Sequence, residues 1–386
     1  MKGSTERILV SHAGVLPRPE GRGERSQELP DADMAEAVAE VVRHQVGLGI
    51  DVVNDGELSK IGGFSGYVSA RMTGIERREL RPGEKPRSPN ARDQRDFPGF
   101  YAAGLGGFGR ASAPRPGLVG GSRNPWSCTG PLTYIGKAAA ESDIQRLKAA
   151  TSGLDVEPFL PAVAPGTIEH WLWNDYYPDD ESFLFAVADV MHEEYRAVTD
   201  AGIMLQVDDP DLPDGWQVHP EMDVPAYRAY ASLRVEALNH ALRDLPPELV
   251  RFHICWGSQH GPHKDDIPLR DIIDLVLSVR AQCYSIEGAN PTHEHEWRLW
   301  EEVTLPDGKL LMPGVVGHAT DLIEHPELVA QRLTRVANLV GRERVIAGTD
   351  CGLGYRVGHP EICWAKLDSL AQGARLASRE LGFGPG

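Results

Sequence analysis

"LVRFHICWG", residues 249–257, is an apolar run that ends in a histidine, a cysteine and a glycine turn, and its reading decides the fold. Side chains two apart on a strand point to the same face, so His253 and Cys255 project together where the strand runs out. Seven further runs share this form: "ERILVSH", "GIDVVNDGE", "PFLPAVAPGT", "GIMLQVDDP", "CYSIEGAN", "LLMPGVVGH" and "RVIAGTDCG". Between them lie helical patterns such as "DMAEAVAEVVRHQVGLG" and "PELVAQRLTRVANLVG". Strand followed by helix, about eight times, predicts an α/β fold of the (β/α)8 TIM-barrel type, with a doubly wound open sheet as the alternative. "SCTGPLTYIG" is a ninth strand candidate. It is expected outside the barrel, because "PFLPAVAPGT" leads into the helix that feeds "IMLQVDDP".

The 386 residues, 41% of them hydrophobic, suffice for one large barrel, read here as a single domain over 1–386. A formal charge of −17 argues against nucleic acid as a partner, since a phosphate backbone would be repelled. The five cysteines are few and odd in number, which reads as reduced thiols and a cytoplasmic setting. The N-terminus has no apolar signal core and no run is long enough for a membrane span, so neither secretion nor a membrane is expected.

Residues 75–125 break the alternation. They are rich in Arg, Pro and Gly, with ten Lys/Arg against five Asp/Glu, and read as an insertion between barrel units. It is expected either to dock on the acidic body as a solvated loop or to cover the active site. Gly104, Gly106 and Gly109 match G-x-G-x-x-G, but no strand precedes them and no helix follows, so a nucleotide site is not expected.

Reactive side chains gather at strand ends: His12, Asn54, Asp55, Glu57, Asp208, His253, Cys255, Glu287, His318, Asp350 and Cys351. In a barrel those carboxyl ends converge on one face, where active sites are built. Zinc takes tetrahedral Cys, His and carboxylate ligands, and His253, Cys255, Glu287 and Cys351 supply such a set from adjacent strands. Taken singly, each Cys reads better as a small buried hydrophobe, as Cys128, Cys283 and Cys363 do. Two thiolate ligands suit activation of a substrate thiol rather than hydrolysis, because zinc lowers the thiol pKa until the thiolate binds at neutral pH.

"HICWG", "YSIEGAN", "PGVVGH" and "GTDCGLGYR", with "LQVDDPDL" and "VVNDGE", resemble the catalytic half of cobalamin-independent methionine synthase and its short single-barrel relatives. The run "HICWGSQHGPHKDDIP" with "EGANPTHEHEWRLWEE" is most similar to epoxyalkane:coenzyme M transferase within that superfamily. The resemblance implies the same four zinc ligands. It also implies substrate contacts from Asp208 and from Glu57, the latter matching an acidic residue that meets an amino group. His12 joins these as a substrate-contacting candidate, and Trp171 and Trp173 are candidate stacking residues beside the alternative of rim aromatics. Two departures stand out. Val15 replaces a substrate-contacting serine, and His318 lies one position from the family's proton-donating histidine.

The expected function is a zinc-dependent thiol alkyltransferase whose zinc-bound thiolate attacks an epoxide or alkyl donor, with Asp208 positioning the thiol and His318 as general acid. The alternative is methyl transfer to homocysteine from methyltetrahydrofolate or a corrinoid. A zinc hydrolase and a zinc-stapled binding barrel are the readings from other classes. The partners are then a small thiol and its alkyl donor, with Arg18 and Lys60 as candidate anchors for a sulfonate. Homo-oligomerisation is left open.

Overall fold

A computed structural model describes residues 1–23, 27–85, 87–103, 125–257, 261–354 and 356–384. Eleven strands form two sheets: β1 (Leu9–Val10), β2 (Val52–Val53), β3 (Met72–Arg77), β4 (Trp126–Tyr134), β5 (Glu157–Val163), β6 (Trp173–Asn174), β7 (Met204–Asp208), β8 (Val250–Ile254), β9 (Cys283–Ile286), β10 (Leu310–Val316) and β11 (Ile346–Thr349). Eight run parallel in the order β1-β11-β10-β9-β8-β7-β5-β2. The two ends meet where Asp51 N donates to Val10 O at 2.9 Å, so the sheet curls into a nearly closed (β/α)8 barrel. All eight apolar runs are its staves. "SCTGPLTYIG" falls in β4, outside the barrel, in a small sheet of order β3-β4-β6.

The helices bury the faces that their periodicity marks. Asp31–Leu48 turns Met34, Ala37, Val38, Val41 and Val42 inward and stops at Gly49, whose φ of 87° suits a residue without a Cβ. Asp180–Asp200 starts at Asp179, which accepts from Ser182 N, and buries Phe183, Leu184, Val187 and Met191. Pro326 and Pro360 open the helices Pro326–Val340 and Pro360–Glu380, where a missing N–H costs nothing. Strict alternation fails at two crossovers. Among the described residues a 3-10 turn, Leu269–Asp271, and the five-residue helix Ile273–Leu277 separate β8 from β9, and a 3-10 helix, Glu294–Glu301, separates β9 from β10. Pro262 and Pro268 shorten the first of these by denying the interior of a helix its donors.

The described part of the 75–125 segment begins in the β3/β4 antiparallel pair and then crosses the barrel mouth. Arg92 donates to the carbonyls of Trp216, His219 and Met222, with its guanidinium 3.3 Å from the Trp216 ring centroid. Asp93 accepts from His263 N at 2.8 Å. The basic residues thus seek carbonyls on the rim as well as carboxylates. The glycine pattern at 104, 106 and 109 lies outside the described residues. No helix among the described residues is long and apolar enough to cross a membrane.

A candidate metal centre at the barrel mouth

Strand register places the site. Asp208 of β7 pairs with His253 of β8, and His253 pairs with Ser285 of β9, so three polar side chains stand side by side at the carboxyl end. His253 Nδ1 shares a 2.9 Å hydrogen bond with Ser285 Oγ, which orients the ring. The buried Nε2 has no oxygen or nitrogen partner and faces the Cys351 sulfur instead. Cys255, two residues on, brings its Sγ to 3.7 Å from Cys351 Sγ. Ligand atoms of His253, Cys255 and Cys351 all lie within 4.8 Å of one another.

These three residues fit a zinc ion. A tetrahedron with Zn–S bonds of about 2.3 Å has edges of roughly 3.8 Å, close to the sulfur separation, and the orphaned imidazole nitrogen completes a soft donor set. Electrostatics agree. The Cys255 thiol is pushed well up by its hydrogen bond to Cys351 and by burial, while Cys351 is held well below the ordinary thiol range chiefly by that same bond. The two shifts run in opposite directions, and the thiolate is the form that binds metal.

Glu287, the fourth expected ligand, stands beside this trio rather than within it. Its oxygens accept from Trp256 N at 2.8 Å and Asn290 Nδ2 at 3.0 Å, and it groups with His318 and Asp350 in a second buried cluster. His318 Nε2 lies 3.3 Å from Gly257 O, and its Nδ1 has no partner.

On the other side, Asp208 accepts from Gln206 Nε2 at 2.7 Å, and burial pushes its carboxyl up to about 7. Glu57 sits at φ 55°, a left-handed conformation uncommon for a side chain of its size, and accepts from Val15 N at 2.8 Å. Val15, where the family has serine, contributes a backbone donor there. Lys60 is buried rather than solvated, bonded to Pro161 O and 3.5 Å from Glu57. Arg18 spends its guanidinium on the carbonyls of Arg22, Gln27 and Leu58.

His12 is differently placed from what strand-end position suggests. Its nitrogens bond Gly14 O and Gln45 Oε1, both at 2.9 Å, and burial lowers its pKa to about 4. Trp171 is half-buried, stacked on His170 with centroids 4.6 Å apart, and donates to Asp211 at 3.3 Å. Trp173 lies in β6 under the guanidinium groups of Arg78 and Arg87.

Two residues of the barrel interior escaped the sequence reading. Arg251 is fully buried and bonds Gln206 Oε1 at 2.6 Å, Ser11 Oγ at 2.8 Å and His12 O at 3.1 Å. Gln206 passes this link on to Asp208. The signal was present: both residues lie two positions before a site residue, on the same strand face.

Trp256 forms part of the wall, stacked on His293 at 3.8 Å. Burial opposes a charge on His293, but Asp266 and Glu296 outweigh it and raise its pKa to about 9 from 6.5. Asp266 in turn is held below 3.8, where its bonds to His263 and His293 outweigh burial. The sign follows from linkage. The histidine's contribution is full below pH 6.5 and is lost as pH rises through 9, whereas the aspartate's is lost as pH falls below about 4. The urea midpoint difference between the wild type and His293→Gln is expected to be largest between these limits and to shrink by pH 9. A difference constant from pH 6 to 9 would contradict a charged His293.

A parallel barrel with an imidazole and two thiols converging at its carboxyl face defines a class of barrel protein with a candidate soft-metal site. Residues 162–373 match the family model described as cobalamin-independent synthase, catalytic domain, and the chain belongs to this family. The methionine synthase of Pyrococcus abyssi is 27% identical over 223 residues, 58% of this chain and 57% of that protein. The matched part thus spans little more than half the length of that relative. The methionine synthase of Sulfolobus acidocaldarius aligns further, 24% identical over 95% of this chain and 91% of its own. A B12-independent methionine synthase structure from Shewanella sp. W3-18-1 superposes with a TM-score of 0.70 at 20% identity, covering 97% of this chain and 99% of that one.

Proposed function

We propose that this protein is a zinc-dependent methyltransferase acting on a small thiol of the homocysteine kind. The observation that carries the reading is the His253–Cys255–Cys351 cluster, with its ligand atoms within 4.8 Å of one another, in a chain whose relatives are methionine synthases. Those relatives favour methyl transfer over the epoxide opening expected from the sequence. Zinc would be held by His253, Cys255 and Cys351, with the neighbouring Glu287 as the proposed fourth ligand, and would lower the pKa of a thiol bound there. The thiol sulfur then attacks the methyl carbon as the bond from that carbon to its donor breaks.

The chain's own side chains serve the rest. Glu57 and Asp208 place two carboxyls beside the cluster, suited to the ammonium of an amino-acid thiol, and Gln206 with Arg251 holds Asp208 in position. His318 is a buried imidazole with a free Nδ1, within electrostatic reach of Cys351, and protonates the departing donor group.

X-ray absorption at the zinc edge tests this reading. Adding homocysteine is expected to insert one more sulfur at about 2.3 Å, and His318→Ala should leave that signal intact while slowing methyl transfer by about 10²-fold. An unchanged sulfur shell across homocysteine, coenzyme M and other small thiols would sink thiol activation.

A further inference from the structure

We propose that Asp350 is a positioning residue that locks the Glu287 loop to the Cys351 strand and thereby sets the spacing of the metal ligands; this rests on the metal reading above. Asp350 directly precedes Cys351 and is fully buried. Its Oδ1 accepts from Gly288 N at 2.9 Å and Ala289 N at 2.8 Å, the two residues that follow Glu287. Its own N–H donates to Val316 O at 2.9 Å, two residues before His318. One aspartate therefore ties together the carboxyl ends of β9, β10 and β11, three strands whose tips carry Glu287, His318 and Cys351.

The barrel makes room for this link. To reach β9 from β11 the side chain must pass over β10, and the β10/β11 register shifts at that point, between Gly314 and Val316. A Cβ on Gly314 would overlap Asp350 Oδ1 and lie 2.8 Å from the Asp350 Cα. On the far side, a Cβ on Gly288 would come within 3.1 Å of Gly314 O. Glycines at both crossing points and a register irregularity are what a side chain laid across a strand requires. Glu287 inherits its place from this clamp, since the two N–H groups that follow it are both held by one buried carboxyl oxygen. Groups behind the first ring of metal ligands act in this way, by fixing a ligand before the ion arrives.

The test combines amide exchange on the metal-free protein with zinc affinity measured by chelator competition. Asp350→Ala should speed exchange of the Gly288 and Ala289 amides by about fivefold or more, as expected for losing a hydrogen bond of about 1 kcal/mol. It should also weaken zinc binding by about 10–100-fold. Asp350→Asn keeps an acceptor oxygen and should recover most of that affinity. In a Glu287→Ala background, Asp350→Ala should cost less than about twofold more, because a residue acting only through Glu287 has nothing left to position. Gly314→Ala, which displaces the carboxylate without removing it, should reproduce the loss. Unchanged amide exchange, unchanged affinity in Asp350→Ala, or a full additional loss in the Glu287→Ala background would each overturn the inference. A wild-type chain that took up no zinc would instead defeat the metal reading on which it rests.

Discussion

Cys351→Ala is expected to lower zinc affinity by about 10²-fold or more and to abolish methyl transfer, while the far-UV spectrum stays that of the folded barrel. The magnitude follows from dividing the roughly 10–16 kcal/mol of a four-ligand zinc site among its ligands, which leaves about 3 kcal/mol for each. Cys351 lies at or above that share, because its thiol is held well below the ordinary range, chiefly by the bond from Cys255. Its removal also returns Cys255 to an ordinary buried thiol, since the bond between the two sulfurs heads the causes of both thiol shifts. Cys255→Ala should do nearly as much harm to binding. The fold survives because Cys351 lies beyond the end of β11, above a core of Ile8, Val10, Phe252, Val315 and Ala347. Metal analysis after dialysis reads the result directly. Full occupancy in either variant would remove these residues from the ligand set.

Arg71→Ala is expected to lower the unfolding free energy by about 3–5 kcal/mol, the cost of leaving a buried ion pair without its partner. Arg71 bridges two helices that the chain order keeps apart. Its guanidinium lies 2.6 Å from Asp143 on Lys137–Thr151 and 3.1 Å from Glu194 on Asp180–Asp200, with all three side chains no more than 10% exposed. Glu194 also accepts from Tyr67 and Tyr134, at 3.0 and 3.1 Å. Removing the cation leaves Glu194 among phenols without its cation and Asp143 with Arg146 alone, at 3.2 Å. A urea melt should show the shift. Arg196→Ala, which breaks a pair with the exposed Asp200, should change stability by less than about 1 kcal/mol. Equal effects in the two variants would contradict the argument from burial.

Site and stability meet in the small sheet. β3 and β4 hold Arg71 and Tyr134 over the two helices, and the chain that leaves β3 carries Arg92 and Asp93 to the rim near Trp216 and His263. The same segment therefore packs the barrel flank and reaches its rim. In the sequence it shows only as a gap in the alternation, because its polar residues pair with partners more than a hundred positions away.

The barrel was legible because its signal is local and repeated. Each stave is an apolar run closed by a turn, and the period of two within a strand decides which side chains face inward before any partner is known. That rule put His253 beside Cys255, and the convergence of carboxyl ends in a barrel brought Cys351 to the same face. The ninth strand was set aside by its place in the chain. Tertiary structure decided what depends on distance across the barrel. Both His12 nitrogens are taken by Gly14 and Gln45, and Glu287 bonds Trp256 and Asn290 beside the sulfur cluster. Arg251 reaches through Gln206 to Asp208, and Asp350 crosses over Gly314 to hold the loop after Glu287. Strand periodicity fixes the direction of a side chain but carries no information about its partner on the next stave. That partner is set by register and by the curl of the closed sheet, and these exist only once all eight strands are in place.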